Sequence, residues 1–223
     1  MNEFNFTEVE IDGKRFELKY YSQFENYYSN NGKDVEPQTR NWFLNNLTKK
    51  DVVFDVGAHI GLYTILFSQR TKNVYAFEPT SSYDTLLIPN LSSNGINFVV
   101  TEKIAVGNHT GIVTDKIFRI WGTQPEELEY PFIKLDDYIY NNKIYPSFIK
   151  IDVDSFDYEV LLGLEKYLKE HNPYVCVECN YYALKFRNHE TSVINNFMNN
   201  LGYTVHFHLD GENLIYKKNG FHN

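Results

Sequence analysis

Sulfur and positive charge are both scarce in this chain. Only two cysteines occur in 223 residues, Cys176 and Cys179, both in "YVCVEC", too few for a disulfide framework. Their C-x-x-C spacing suits a redox pair, but the segment reads as a strand, where residues three apart face opposite sides. Two buried thiols are the favoured reading. Lysine and arginine number 21 against 29 aspartates and glutamates, a formal net charge of −8. Such a molecule repels polyanions, so no nucleic-acid partner is expected. No apolar run is long enough to span a bilayer. "MNEFNFTEVEID" has neither the basic start nor the apolar stretch of a signal peptide, so a cytoplasmic protein is expected. Repeats, low-complexity tracts and linkers are absent as well.

What is present is core-forming material, 43% hydrophobic and 17% aromatic, in a length that suits one α/β domain with a small extension. "FNFTEVEIDGKRFELKYY" alternates around Asp12-Gly13, a hairpin signal. Asn30-Asn31-Gly32 reads as a turn, and Pro37 opens a helix over "PQTRNWFLNNL". From residue 52 strands and helices alternate. "VVFDV", "NVYAFE", "INFVVTEKIAV", "FIKIDV" and "YVCVEC" read as strands. "GLYTILFSQR", "SYDTLLIPNLSSN" (ended or kinked by Pro89), "DYEVLLGLEKYLKE" and "TSVINNFMNNLGY" read as helices. "GNHTGIVTDKIFRI" reads as a small β excursion, and "TVHFHLDGENLIYKK" as a closing hairpin around Asp210-Gly211. The alternation argues a mostly parallel sheet covered by helices, with an antiparallel hairpin at its end.

The first buried strand ends in an acid and then two glycines, "DVGAHIG". In such sheets ligands bind beyond the carboxyl ends of the strands. Gly57 lets backbone approach a ligand, and Gly61 lets the next helix start tight against the strand. Glu78 ends the second strand, where a carboxylate can accept from a ribose diol. The loop is G-x-x-x-G rather than the G-x-G-x-x-G of a dinucleotide site, and the preceding Asp55 suits a cationic or zwitterionic nucleoside. S-adenosylmethionine has those features. A bare strand–turn–helix corner explains "DVGAHIG" by itself, but less well when paired with "AFEP".

These pieces resemble the FkbM family of S-adenosylmethionine-dependent methyltransferases, of the class I methyltransferase fold. The likeness runs from about Glu36 to Cys179. It includes "EP" at 36–37, "DVGAHIGLYT", "AFEP", Asn90 and Asn94, "AVGN" at 105–108, "KLDDYI" at 134–139, "FIKIDVD" at 148–154, "YEVLLG" at 158–163 and "VE" at 177–178. The resemblance implies a Rossmann-like, mostly parallel seven-stranded sheet with a C-terminal antiparallel hairpin and a small N-terminal β-hairpin. Residues 1–35 are then an extension on the substrate side, and 36–223 the methyltransferase domain. It further implies that Asp55, Gly57 and Ala58 border the cofactor's methionine part, with Glu36 beside it and Thr64 meeting its carboxylate, and that Gly61 belongs to the same cofactor-binding loop. Glu78 holds the ribose, Pro79 and Ala105 flank the adenine, and Asp152 faces the sulfonium or the substrate. Three departures stand out: His59 takes the place of the usual Asn, Ser155 takes a glycine position, and "AFEPTSS" lacks a second proline.

A hydroxyl acceptor has to lose a proton, and the candidate bases are Asp152, Asp154, Glu178 and His59. The bland alternatives are a helix cap, better suited to Asp154 or Ser155, an ion-pair partner for Glu178, and a packed loop residue for His59. Asp152, Asp154, Glu178 and Asn180 could also hold a hard divalent cation, but no metal is expected from the family. His206 and His208 share a strand face and are read as exposed. Tyr20, Tyr21, Tyr27 and Tyr28 form either a sugar-stacking wall or a hydrophobic cover. The expected activity is O-methylation of a small molecule or a sugar or glycan hydroxyl, as in polysaccharide modification, with selectivity in the N-terminal segment and "NYYALKFRNHE". The alternatives are RNA or protein methylation, and a non-catalytic S-adenosylmethionine-binding module.

Overall fold

The structure is a computed structural model that describes residues 3–28, 32, 35–117 and 126–218. Asn30 and Asn31 of the expected turn, and the β excursion beyond residue 117, lie outside the described residues. The chain divides into two compact units, residues 1–103 and 104–223.

In the first unit, β1 (Phe4–Ile11) and β2 (Lys14–Tyr21) form an antiparallel hairpin. Asp12 and Gly13 close it with φ of 53° and 74°, the two left-handed residues that a turn matched to strand twist requires. Helices α1 (Glu25–Tyr28) and α2 (Pro37–Asn46) follow. Strands β3 (Val52–Val56), β4 (Asn73–Phe77) and β5 (Val100–Glu102) run parallel, joined by α3 (Leu62–Ser68) and α4 (Ile88–Ser93). From Val53 to Val56 β3 is wholly buried, as its unbroken apolar run requires. Of the two outcomes expected at Pro89, an end or a kink, the helix does not end there. A π-helical turn over Tyr83–Leu87 comes first, and Pro89 sits in the first turn of α4, where its missing N–H has no intrahelical partner to lose. Tyr20 and Tyr28 pack together, ring centroids 5.0 Å apart, as a buried cover, whereas Tyr27 is exposed.

In the second unit, β6 (Ala105–Val106), β7 (Gly111–Ile117) and β8 (Glu126–Ile133) make a three-stranded sheet in the order β6-β8-β7. Then come α5 (Leu135–Asn142), β9 (Phe148–Ile151), α6 (Asp157–Leu162), α7 (Glu165–Glu170) and β10 (Tyr174–Glu178). The unit closes with α8 (Tyr181–Phe186), α9 (Thr191–Asn200), β11 (Tyr203–Leu209) and β12 (Asn213–Lys218). β9 and β10 are parallel, and β12 is antiparallel to both β10 and β11. The main sheet has seven strands in the order β11-β12-β10-β9-β3-β4-β5, the mostly parallel sheet with a terminal hairpin that was expected. Among the described residues no helix is long and apolar enough to cross a membrane.

Three expected elements come out differently. The stretch read as one third strand is two short strands, β5 and β6, in different sheets. "DYEVLLGLEKYLKE" is two helices broken at Gly163-Leu164. The break has a packing cause: a Cβ on Gly163 would lie 2.0 Å from the Gly107 carbonyl oxygen. Asp136 completes the joint. Its N–H donates to the Gly163 carbonyl at 2.9 Å, and its carboxylate accepts from the N–H groups of Lys166 and Tyr167 at the start of α7. "AVGN", "KLDDYI" and "YEVLLG" therefore meet as one piece of packing. Lastly, the 180–190 segment, assigned to no element from the sequence, carries α8.

Both cysteines are free and buried. His206 and His208 are exposed on β11, whose register with β12 shifts between Val205 and Phe207, a β-bulge.

Candidate functional site

The strand–helix corner of the first unit is built from short backbone bonds. The N–H groups of Gly57 and Ala58 both donate to the Phe77 carbonyl at 3.0 Å, and Gly61 N–H donates to the Ala58 carbonyl at 2.8 Å. Gly57 and Gly61 have φ of 89° and 88°, a region costly for side-chain-bearing residues. Gly61 has a second constraint, since a Cβ would stand 2.9 Å from Leu87 Cδ1. His59 is also left-handed, φ 47°, which explains why asparagine, tolerant of that region, suits the position in the resembling family. The His59 ring sits edge-on to Phe24, centroids 5.5 Å apart.

Three acids surround this corner, and hydroxyl or backbone donors reach each of them. Asp55 is buried and accepts the Thr64 hydroxyl at 2.5 Å. Thr64 is fully buried, and this bond turns its hydroxyl to Asp55. Glu78, 4% exposed, accepts His59 N–H on Oε2 at 3.0 Å, and both the N–H and the hydroxyl of Thr80 on Oε1 at 2.9 and 2.5 Å. Glu36 is the left-handed residue before α2, and its carboxylate accepts the Tyr63 hydroxyl at 2.5 Å. Pro79 follows Glu78, half-buried. Thr80 and Tyr63 were not legible as site residues. Thr80 left one faint signal, a hydroxyl residue two places after the acid, the spacing of a local side-chain turn.

The second unit holds the other candidates. Asp152 follows β9 and Glu178 ends β10, the neighbouring parallel strand. Carboxylate oxygens of the two lie within 4.8 Å of each other. Asp152 is ion-paired at 2.5 Å with Lys150, whose side chain is only 2% exposed. An ammonium buried in a strand is strongly unfavourable without a counter-charge, and Asp152 supplies it. Lys150 was missed in the sequence, although a lysine inside "FIKID", two residues before the acid, shares its strand face.

The turn after Asp152 corrects the capping expectation. Neither Asp154 nor Ser155 caps a helix; Val153 and Phe156 occupy the cap positions without side-chain bonds. The carboxylate that serves this turn is Asp157, which accepts Val153 N–H at 3.0 Å. Asp157 is buried, and loss of solvent raises its carboxyl well above the usual range, helped by the nearby charges of Asp152 and Asp154. The left-handed residue is Asp154, φ 60°, while Ser155 is fully buried outside that region. Serine at the glycine position thus meets a demand for small volume, not for a special backbone.

Asn180, weighed as a cation ligand, works as the cap of α8. Its Oδ1 accepts from the N–H groups of Tyr182 and Ala183, and its Nδ2 donates to Glu212. Ala105 is buried with Phe132 and Phe156. At the end of α8, the Arg187 guanidinium lies 3.5 Å from the Phe156 ring centroid, donates to Asp115 and to the Lys116 carbonyl, and stands 3.6 Å from Glu159. Arg187, Asp115, Lys116 and Glu159, with Thr114, Glu127 and Phe186, line a cleft of about 440 Å³.

Comparison with known proteins gives the setting. Residues 55–205 match the methyltransferase FkbM domain, more than half of the chain. Curated proteins give no match. Among solved structures, the chain is similar to a methyltransferase FkbM of Methylobacillus flagellatus (15% identity, TM-score 0.53), over 77% of this chain and 44% of the other. It thus spans less than half the length of that relative. It is similar to a Streptococcus mutans protein solved with S-adenosylhomocysteine (14% identity, TM-score 0.52), over 82% of this chain and 96% of the other. It is also similar to a ribosomal protein L11 methylase of Lactobacillus delbrueckii (15% identity, TM-score 0.54), over 82% and 78%. At these identities the structural likeness concerns the fold, and the sequence match carries the family. The chain belongs to the FkbM family of S-adenosylmethionine-dependent methyltransferases.

Proposed function

We propose that the protein methylates a hydroxyl of a small molecule or of a sugar or glycan. The observation that carries this reading is the Asp152–Glu178 pair, with Asp152 neutralised by buried Lys150. A hydroxyl nucleophile needs a proton acceptor within hydrogen-bond reach. Asp152, paired with Lys150, serves to orient and to balance charge. Glu178 is the proton acceptor. His59, packed edge-on to Phe24, and Asp154, held in a left-handed turn, are assigned lesser roles.

The corner of the first unit supports the cofactor assignment. Bound S-adenosylmethionine supplies an activated methyl group on a sulfonium. Each carboxylate oxygen offers two acceptor directions, and in Glu78 only Oε2 keeps one after His59 and Thr80 are served. That fits one ribose hydroxyl, and a second requires the Thr80 hydroxyl to turn away. Asp55 and Glu36, oriented by the Thr64 and Tyr63 hydroxyls, are assigned to the methionine ammonium, and Gly57 and Ala58 supply close backbone. Thr64 acts through Asp55. Acceptor selection is assigned to 180–190, where Arg187 and its cleft offer charged and hydroxyl groups. The net charge of −8 disfavours RNA as acceptor.

Calorimetry with S-adenosylhomocysteine and with NAD tests the cofactor half of this reading. The first is expected to bind and the second not to, and the opposite result would overturn it. Transfer of labelled methyl to a panel of sugars, phenols and amines tests the acceptor half. Label on nitrogen alone would refute O-methylation.

A further inference from the structure

Asn90 and Asn94 belong to the family resemblance, yet neither finds a role in the assigned chemistry. Asn90 lies on α4 and Asn94 is its C-cap, and both reach β2. Asn94 Oδ1 accepts Glu17 N–H at 3.0 Å, and its Nδ2 donates to the Glu17 carbonyl at 2.7 Å. Asn90 repeats the pattern two residues along the strand: Oδ1 accepts Lys19 N–H at 2.7 Å, and Nδ2 donates to the Lys19 carbonyl at 2.9 Å. Glu17 and Lys19 pair with Glu8 and Phe6 of β1 as Cα partners. Alternate residues of an antiparallel strand turn their polar groups away from the partner, and those outward groups are what the asparagines bond. Two carboxamides one helical turn apart thus replace a missing neighbour strand.

Asn90 differs from Asn94 in its last bond. Asn94 Nδ2 donates its second hydrogen to the Asn90 carbonyl within α4, at 2.7 Å. Asn90 Nδ2 donates its second hydrogen to the Ile60 carbonyl, at 2.8 Å, inside the Gly57–Gly61 corner. Asn90 is 1% exposed, so no solvent replaces a lost partner. We infer that Asn90 is a positioning residue that couples the seating of the N-terminal hairpin to the shape of the cofactor corner. The hairpin expected to serve the acceptor therefore also braces the corner. One carboxamide satisfies both, so opening either leaves a buried amide proton unpaired.

The coupling itself stands on geometry, and only its affinity arm rests on the cofactor reading. Hydrogen exchange of the intact protein, followed on peptides covering 14–21 and 57–65, tests it directly. In Asn90→Ala both segments are expected to exchange at least tenfold faster than in wild type. S-adenosylhomocysteine, the probe ligand, is expected to bind at least tenfold more weakly. In Asn94→Ala only 14–21 accelerates, and affinity stays within about twofold even where the melting temperature falls as far. Asn90→Asp keeps the volume and the acceptor but loses both amide donors, so it behaves as Asn90→Ala. If neither Asn90 variant folds, Lys19→Pro removes the strand's donor from the hairpin side and is expected to loosen both segments. An Asn90 variant, or Lys19→Pro, that frees 14–21 while 57–65 stays protected overturns the inference. So does an Asn94 variant that loosens the corner as much as Asn90→Ala. Wild-type protein that fails to bind S-adenosylhomocysteine overturns the cofactor reading instead, and the exchange data still decide the coupling.

Discussion

The Asp55–Glu78 corner and the Asp152–Glu178 strand ends each present two acids, but they are held in opposite ways. In the corner the donors are neutral: Thr64 for Asp55, and Thr80 with the His59 backbone for Glu78. Hydrogen bonds of that kind orient a carboxylate without reducing its charge. At the strand ends Asp152 is ion-paired with a buried lysine, and the proposed proton acceptor is Glu178 beside it. The contrast separates two tasks. Holding a cationic ligand calls for oriented negative charge, whereas taking a proton calls for a carboxylate within hydrogen-bond reach of the acceptor hydroxyl.

The largest effect that sharpens this contrast is on turnover. Glu178→Gln is expected to lower the rate of methyl transfer by roughly 10²-fold or more, the usual scale for acid–base loss, Asp152→Asn to lower it less because it removes an orienting group, and both to leave S-adenosylhomocysteine affinity within a few-fold. Single-turnover kinetics with an identified acceptor measures this. Full activity in both variants would remove the division of labour. Activity lost in EDTA and restored by Mg²⁺ would recast the acids as metal ligands.

The next effect lies in the corner. Glu78→Ala is expected to weaken S-adenosylhomocysteine binding by about 1–3 kcal/mol, the range for a charge-assisted hydrogen bond and its buried partner. Calorimetry reads it. A loss of turnover without loss of affinity would mean that the corner acts during transfer instead.

The smallest effect concerns Asp157, the third acid of the Asp152 turn. Its folded carboxyl titrates above its unfolded one because burial disfavours the charge. The stability that this group contributes is complete below the unfolded value near 4 and is lost as pH rises through the raised folded value. Asp157→Asn keeps an acceptor for Val153 N–H and abolishes the titration. Melting curves across pH 4.5–8 are expected to show less decline toward neutral pH in the variant, with equal or higher stability at pH 7–8. A steeper decline would contradict the sign.

Much of the fold was legible because it is written in local pattern. The hairpin at Asp12-Gly13, the buried run into Asp55 and the acid ending β4 all follow from period and turn chemistry. What escaped was fixed by contacts far apart in the chain. The helix break at Gly163 depends on the Gly107 carbonyl, and Pro89 reads as a stop until the π-turn ahead of it is known. Lys150 was passed over inside an apolar strand, because its meaning lies in the acid that follows. At the Ser155 position the chemistry was readable, but not which neighbour would bear the left-handed backbone.

The bulge in β11 has a consequence for how the protein behaves in concentrated solution. β11 is the outermost strand of the main sheet on its side, and it exposes Val205 (43%) and Phe207 (47%). A flat strand with such side chains would be a template for another molecule's chain, the first step toward fibrils. The register shift between Val205 and Phe207 breaks the regular spacing that an incoming strand needs, so growth by strand addition stops within a few residues.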